Sequence, residues 1–277
     1  MRSDARRGDA RRADARRADA RRIAAIVEYD GSDYAGWQSQ AHAASIQDAV
    51  QDAVAFVAGH PVVAICAGRT DAGVHATGQV IHFDTSAERT PRAWVLGVNT
   101  KLPPAIALQW AGEVSPGFHA RHTALRRVYR YYILNCSARP ALNRMRTAWI
   151  HRALDVEAMH RAAQALLGEH DFSAFRSVEC QSKTSVRRVE SVLVQRAGDS
   201  VWMEIVANAY LHHMVRNIVG TLLEVQREPD PFTAMGRILA GGERRLAGAT
   251  APAAGLYLWR VEYPPIHGIP ALERRFC

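Results

Sequence analysis

The sequence predicts an α+β protein whose mostly antiparallel sheet is built from two similar halves. Segments with the period-two alternation of strands are interspersed with amphipathic helical segments along the whole chain. Two strand segments in the second half are joined through Gly198-Asp199, which favours a hairpin over a regular βαβ unit. We therefore expect helices on one face of the sheet and a working face on the other.

In the first half, the apolar pattern changes between strand and helix periods several times. Ser45 is placed to cap a helix that Gly59 ends. The predicted elements, in chain order, are a strand at 23–30, the helix at 46–58, strands at 62–66 and 78–84, a helix at 91–99, and strands at 105–114 and 125–135.

The second half follows the same alternation and ends with a strand. The predicted elements are a helix at 155–168, the hairpin strands 187–198 and 200–210, helices at 211–225 and 231–241, and a last strand at 256–263. We assign residues 23–135 to the N-terminal half, 136–265 to the C-terminal half and 266–277 to a C-terminal tail.

The first 22 residues differ in composition from the rest. They contain a five-residue repeat of Ala, Arg and Asp, whose period distributes the alanines around a helix and leaves no apolar face. We expect a solvated tail, disordered or loosely helical, that adds nonspecific affinity for RNA. A mis-assigned start codon is the alternative explanation.

Length, charge and cysteine content limit the classes of protein to consider. The 277 residues suffice for one large domain or two packed halves, and no apolar run is long enough to span a membrane. The N-terminus lacks the apolar segment of a signal peptide. The four cysteines are far apart without a C-x-x-C pair, so we expect a cytoplasmic protein with reduced thiols.

The formal net charge of +8 is concentrated in the tail. Nine Arg and four Asp in the first 22 residues leave only +3 for the remainder. Of the 35 cationic side chains, all but Lys101 and Lys183 are arginines. Arginine suits bidentate contacts to phosphate, although the codon bias of a GC-rich genome explains the composition equally well.

A candidate catalytic carboxylate lies in the segment "CAGRTDAGVHATGQVIHF". Asp71 follows a predicted strand and stands between Gly68 and Gly73, where the backbone can closely approach a ligand. Arg69 is two residues away, and a neighbouring cation favours an ionised carboxylate. An ionised carboxylate can act as a nucleophile or base without a metal, and no second acid is near in sequence. A turn-capping role is the structural alternative.

One predicted strand alternates aromatic and basic residues. Arg127, Tyr129 and Tyr131 share one face of this strand, which also contains Arg126 and Arg130. Aromatic rings interleaved with arginines suit base stacking combined with phosphate contact. A core strand with its tyrosines packed inward fits the pattern equally well.

The helical segment "LHHMVRNIVG" places Arg216 among apolar residues. A buried arginine either extends to solvent or pairs with a carboxylate, and Asp71 is the candidate partner. His212 and His213 are adjacent and are expected to face different ways, so we predict no metal site there. The motifs of nucleotide hydrolysis, dinucleotide binding, serine hydrolysis and helical zinc sites are absent.

These segments together resemble bacterial tRNA pseudouridine synthases of the TruA type. The resemblance extends from about residue 23 to residue 263, and "GRTDAGVHA" is its most specific part. Other matching segments are "EYDGSDYAGWQ", "LRRVYRYYILN", "NAYLHHMVRNIVG" and "GLYLWRVEYP". A mild departure is Val128, where relatives often carry a basic residue.

The resemblance implies a role for each site residue. Asp71 corresponds to the catalytic nucleophile and Arg216 to the cation that pairs with it. Tyr129 corresponds to the tyrosine that stacks on uracil and assists proton removal from C5. Arg69 corresponds to the arginine that contacts RNA and holds the target base out of the stack, and Leu256 to an apolar pocket residue.

The resemblance further implies the pseudouridine synthase fold with an RNA-binding cleft, and a homodimer with tRNA lying across both subunits. The implied reaction isomerises uridines 38, 39 and 40 in the anticodon arm of tRNA after base flipping, without a cofactor or metal. Two other functions use the same residues. One is a noncatalytic RNA-binding or RNA-folding protein, and the other is a nucleosidase in which Asp71 activates water.

Overall fold

A ten-stranded sheet forms the centre of the computed structural model, which describes residues 20–272. The predicted disordered tail therefore lies, up to residue 19, outside the described residues. The strands are β1 (Arg21–Tyr29), β2 (Ile65–Cys66), β3 (His75–Thr85), β4 (Ile106–Val114), β5 (Arg126–Leu134), β6 (Ala148–Trp149), β7 (Gly168–Asp171), β8 (Val186–Ala197), β9 (Ser200–Ala207) and β10 (Leu256–Glu262). The α-helices are α1 (Ile46–Ala58), α2 (Pro91–Asn99), α3 (Val156–Gln164), α4 (Met214–Val225) and α5 (Pro231–Gly241).

The strand order is β4-β1-β3-β10-β5-β9-β8-β7, with β2 paired to β3 and β6 paired to β5. Only the β10–β3 and β5–β6 pairs are parallel. The predicted α+β class with a mostly antiparallel sheet is thus confirmed. Strand β10 comes from the C-terminal half yet lies between β3 and β5 of the N-terminal half, so both halves contribute strands to one interleaved sheet. The division at residue 135 remains a prediction.

Helix caps and a turn that were predicted from the sequence mark the ends of several elements in the structure. The Ser45 hydroxyl accepts a hydrogen bond from the Asp48 amide at 3.1 Å, as expected of a helix N-cap. Gly59 ends α1 in the left-handed conformation, with φ of 73°. Gly198 has φ of 58° in the turn between β8 and β9, which confirms the predicted hairpin.

Other element ends differ from the predictions. Strand β1 begins at Arg21, two residues early, and the Arg22 guanidinium lies 2.7 Å from the Asp84 carboxylate. The short strand β7 was not predicted, because its sequence GEHD, which begins at the last residue of the predicted helix, has no alternation of apolar residues. Helix α4 begins three residues late, at Met214, because His213 before it has a left-handed backbone.

The main core lies between the helices and one face of the sheet. The register places Tyr129 of β5 opposite Ile205 of β9 and Leu258 of β10, and all three belong to that core. On the other face a small separate cluster contains Val128, Val206 and Trp259.

The other face of the sheet is partly occupied by the end of the described chain. Residues 269–272 line one cavity together with Ile26 and Val80. Ile269 and Leu272 also pack against the main core, so the predicted C-terminal tail is attached to the protein at least this far.

The candidate site residues lie on the helical face. Tyr129 belongs to the core on that face, and Arg216 reaches Asp71 from helix α4. This differs from the expectation that the working face, with its RNA cleft, lies opposite the helices. The helices do not cover their face completely, and the Asp71 loop meets the start of α4 near β5. No helix among residues 20–272 is long and apolar enough to cross a membrane.

We predict that Gly220→Ala destabilises the protein. A Cβ at Gly220 would lie 1.7 Å from the Ala249 carbonyl oxygen, so α4 would move away from the segment that follows α5. Overpacking of this kind typically costs about 1–3 kcal/mol, which urea unfolding measures. Gly236 in α5 is the matched control, since nothing lies within 4 Å of its added Cβ. Gly236→Ala should be neutral or stabilise by up to about 1 kcal/mol. Equal unfolding free energies for both variants would contradict the packing argument.

Candidate active site

Asp71 lies in the loop between β2 and β3, and hydrogen bonds hold the backbone around it. The Tyr29 and Thr70 hydroxyl groups are 2.8 Å apart, and the Trp37 amide donates to the Thr70 carbonyl at 3.0 Å. On the other side, the Gln79 side-chain amide donates to the Gly68 carbonyl at 2.6 Å. These bonds fix the loop directly before the carboxylate.

The turn after β1 packs directly against this loop, and glycine makes the approach possible. A Cβ at Gly31 would lie 2.0 Å from the Val74 carbonyl oxygen, and one at Gly36 would lie 2.5 Å from that of Thr70. Gly36 also has φ of 95°, which favours glycine. The turn "DGSDYAGWQ" therefore packs closely against the backbone of the Asp71 loop and supports it.

Three side chains from the start of α4 surround the Asp71 carboxylate. The Arg216 guanidinium lies 3.3 Å from Oδ2, with its Nε donating to the Ala251 carbonyl at 2.8 Å. His212 Nε2 lies 3.2 Å from Oδ1, and His213 Nε2 lies 3.3 Å from Oδ2. The Asp71 side chain is about one-quarter exposed, so its carboxylate is accessible from the solvent side.

The orientation predicted for the two histidines was wrong. His213 is the only non-glycine residue with positive φ in the described range, at 62°. Adjacent side chains diverge on regular backbone, but this left-handed residue brings the two imidazole centroids within 4.0 Å. Such strained backbone is concentrated at functional sites. Asp71, His212 and His213 consequently form one group of possible metal ligands.

The protonation of His213 follows from its surroundings. Burial lowers its pKa below the usual value, and Asp71 opposes this effect while His212 and Arg216 reinforce it. This shift of the pKa favours the neutral form of the imidazole. Neutral His213, whose Nε2 lies 3.3 Å from Oδ2 of Asp71, adds no full positive charge beside the carboxylate.

Tyr129 lies beneath the loop with its hydroxyl toward the site. A Cβ at Gly68 would lie 3.8 Å from that hydroxyl, and the ring packs edge-on against Tyr210 at 4.8 Å. Burial raises the pKa of Tyr129 far above the usual range, with Arg127 opposing this effect and the Asp71 charge adding to it. The phenol is therefore neutral at ordinary pH. Its ring can stack on a base and its hydroxyl can donate a hydrogen bond, but it can take up a proton only if it releases its own.

Arg127 has a structural position rather than an RNA-facing one. Its guanidinium is buried and donates to the carbonyls of Ala67, Arg121 and Asn208 at 2.7–3.0 Å. Burial lowers the pKa of this arginine. The contact with Ala67 ties the start of the Asp71 loop to β5.

The other two arginines of β5 are also engaged within the protein. Arg126 pairs with Glu262 and Glu190, and Arg130 pairs with Glu204 at 2.7 Å while lying over the Trp259 ring. The strand's arginines thus do not support the phosphate-contact hypothesis. The alternative, a strand whose tyrosines pack inward, is correct for Tyr131, which is fully buried.

Arg69 and Leu256 occupy contrasting positions. The Arg69 side chain is exposed and forms no hydrogen bond or ion pair within residues 20–272. It is therefore available for an external anion. Leu256 is 6% exposed at the start of β10, where it pairs with Tyr131. Its place beside the core agrees with an apolar role.

Several residues that shape the site were not singled out from the sequence. Tyr29 and Gln79 brace the loop from neighbouring strands, and their strand positions gave no signal beyond ordinary core alternation. Tyr210 packs on Tyr129 and donates a hydrogen bond to the Ile205 carbonyl at 2.8 Å. The paired histidines were visible in the sequence, but their convergence depends on the backbone of His213.

The chain is similar to a known class of RNA-modifying proteins. The model of the tRNA pseudouridine synthase family matches residues 25–122 and 162–264, so the chain belongs to that family. A protein from Aeromonas hydrophila named tRNA pseudouridine synthase A is 52% identical over 90% of this chain and 93% of its own length. A protein of the same name from Shewanella sp. strain W3-18-1 is 54% identical over 90% of this chain and 96% of its own length.

We predict that His213→Gly and His213→Ala differ in stability. Both variants lose the imidazole, but glycine adopts a positive φ at little cost, whereas alanine keeps the strain. The glycine variant should be more stable than the alanine variant by about 1 kcal/mol in urea unfolding. Equal stability of the two would show that the surrounding structure does not impose the left-handed backbone.

Proposed function

We propose that this chain converts uridine to pseudouridine at positions 38, 39 and 40 of the anticodon arm of tRNAs, with Asp71 as the catalytic carboxylate. The observation that supports this most strongly is the position of Asp71 in a chain of this family. A fixed loop presents its carboxylate to solvent, and Arg216 and two histidines contact it. No second carboxylate among the described residues contacts it, which disfavours hydrolysis by an acid/base pair.

The reaction breaks the N1–C1′ bond of uridine, rotates the uracil and forms a C5–C1′ bond. The proton on C5 is lost and N1 gains one, so atoms and electrons balance without an oxidant, reductant or second substrate. This balance is the reason for proposing a cofactor-free enzyme. Asp71 attacks C1′ or C6, or promotes a glycal intermediate, and each route needs a positioned carboxylate.

Arg216 holds that carboxylate in place. Its Nε bond to the Ala251 carbonyl fixes the guanidinium, and its positive charge offsets the negative charge of Asp71 at a distance of 3.3 Å. The two histidines pack against the carboxylate, with one Nε2 atom within 3.3 Å of each oxygen. This arrangement limits rotation of the Asp71 side chain before substrate binds.

Base flipping exposes the target uridine to this site, at a cost of a few kcal/mol. Arg69 is exposed close to Asp71 in sequence and is free to contact RNA and fill the vacated space. Tyr129 stacks on the flipped uracil and assists in the removal of the C5 proton, while Leu256 contributes an apolar wall. Because the Tyr129 hydroxyl stays protonated, its part in proton transfer is that of a relay.

We also propose that the enzyme is a cytoplasmic homodimer with tRNA lying across both subunits, and that its two halves divide at residue 135. Membership of the tRNA pseudouridine synthase family supports this assembly. Light scattering after size exclusion should give twice the chain mass of 30.6 kDa. A monomer at working concentrations would contradict the dimer but leave the isomerase activity untouched.

The decisive experiment uses an unmodified tRNA transcript with uridines at positions 38–40. The native chain should produce pseudouridine there, detected as carbodiimide-dependent stops in reverse transcription, without added metal or nucleotide. Asp71→Asn keeps the size of the side chain but removes the carboxylate. It should reduce the rate by at least about 1,000-fold, as removal of a nucleophile typically does.

If the native chain produces no pseudouridine, two further results distinguish the alternative functions. Binding of tRNA without any pseudouridine would favour the noncatalytic RNA-binding function. Release of free uracil would favour a nucleosidase. Asp71→Asn should bind tRNA as well as the native chain does, and full activity in that variant would contradict the assigned role of Asp71.

A further inference from the structure

The geometry around Asp71 matches the ligand spacing of a tetrahedral metal site. One atom each from the Asp71 carboxylate, His212 and His213 forms a set in which all separations are within 4.8 Å. The His212 Nε2 atom lies 3.2 Å from Oδ1, and the His213 Nε2 atom lies 3.3 Å from the other oxygen, Oδ2. Zinc bonds of about 2.0–2.1 Å place tetrahedral ligand atoms roughly 3.3 Å apart. Small side-chain movements would therefore let one ion contact all three.

The donor atoms select a particular class of ion. Two imidazole nitrogens and one carboxylate oxygen are ligands for Zn²⁺, Co²⁺ and Ni²⁺, whereas Mg²⁺ and Ca²⁺ prefer oxygen alone. Three protein ligands leave at least one position of the ion for water or another small ligand. All three side chains are between 24% and 31% exposed, so an ion can enter from solvent.

The backbone holds the histidines in this arrangement before any ion binds. The left-handed conformation of His213 places the two imidazole centroids 4.0 Å apart, with both Nε2 atoms toward Asp71. Coordination through Nε2 requires each imidazole to carry its hydrogen on Nδ1. A neutral histidine reaches that state by a change of tautomer, without losing a proton.

Arg216 sets a limit on the affinity. Its guanidinium is anchored at the Ala251 carbonyl and lies 3.3 Å from Oδ2 of Asp71, so it repels a nearby cation. Oδ1, the oxygen nearest His212, is the one that remains open to a metal. This repulsion favours reversible binding over the permanent occupation seen in structural zinc sites.

We propose that Asp71, His212 and His213 form an inhibitory binding site for a divalent transition-metal ion of the Zn²⁺ type. An ion coordinated there occupies the Asp71 carboxylate and stands where the flipped uridine must approach it. Metal binding is independent of the proposed function, while inhibition of the isomerase rests on it. The two parts are therefore tested separately.

Binding is measured on tag-free, RNA-free protein, because a histidine tag and RNA both bind Zn²⁺. Calorimetric titration with Zn²⁺ should show one site, and Co²⁺ should give the visible absorption of a tetrahedral complex. His212→Ala, His213→Ala and Asp71→Asn should each weaken binding by at least about tenfold, since even second-shell changes cost 10–100-fold. Circular dichroism checks that each variant is folded.

The chain contains a matched control for the histidine variants. His119 and His122 also form a close pair, with centroids 4.3 Å apart, but within the described residues they are not part of a three-ligand group. His122→Ala should leave the affinity for Zn²⁺ unchanged. Absence of a site in the native chain, or an affinity in all three site variants equal to that of the native chain, would overturn the proposal.

The inhibitory role is tested with the pseudouridine assay at a fixed tRNA concentration. Zn²⁺ should inhibit at concentrations near its measured dissociation constant, EDTA should restore activity, and Mg²⁺ should not inhibit. Full activity with the site saturated by Zn²⁺ would refute an inhibitory role. If the native chain binds Zn²⁺ but makes no pseudouridine without it, the proposed function fails while the metal site stands.

Discussion

The site depends on the contact between the Asp71 loop and the start of helix α4. The loop belongs to the first half of the chain and the helix to the second, and Asp71 and Arg216 are 145 positions apart in the sequence. The loop and the Arg216 side chain are each held by hydrogen bonds of their own. Tyr29 and Gln79 hold the loop to strands β1 and β3, and the Ala251 carbonyl holds the Arg216 guanidinium. The carboxylate is therefore presented between two rigid supports.

Strand β10 makes this contact possible at the level of the sheet. It pairs with β3 on one side and β5 on the other, so the strand after the Asp71 loop and the strand that carries Tyr129 are separated by one strand only. Arg127 strengthens the same junction through its bond to the Ala67 carbonyl. A buried guanidinium that satisfies three carbonyls is a costly group to desolvate, and here it connects three loops.

The arginines illustrate how burial decides the use of a charged residue. Arg126, Arg127 and Arg130 look alike in the sequence of β5, yet the strand alternation sends them to different faces and partners. Arg127 enters the core, whereas Arg126 and Arg130 pair with glutamates of neighbouring strands. Arg69, on a loop, has no such partner within the described residues and stays available for an external anion. The pattern of charges predicted affinity for phosphate, but only the position of each strand and loop showed which arginine is free.

The sequence by itself determined the α+β class, the caps at Ser45 and Gly59, the hairpin at Gly198 and the catalytic candidate Asp71. These features follow from local periodicity, turn chemistry and motif spacing, which a linear chain displays directly. The pairing of Asp71 with Arg216 was one of two alternatives that the sequence left open, since an arginine among apolar residues either extends to solvent or pairs with a carboxylate. Tertiary structure decided the rest. It inserted β10 between two strands of the first half, set the site on the helical face, and turned two adjacent histidines toward one carboxylate through the left-handed backbone of His213. Those outcomes arise from long-range packing and from a single strained residue, and neither leaves a periodic signal in the sequence.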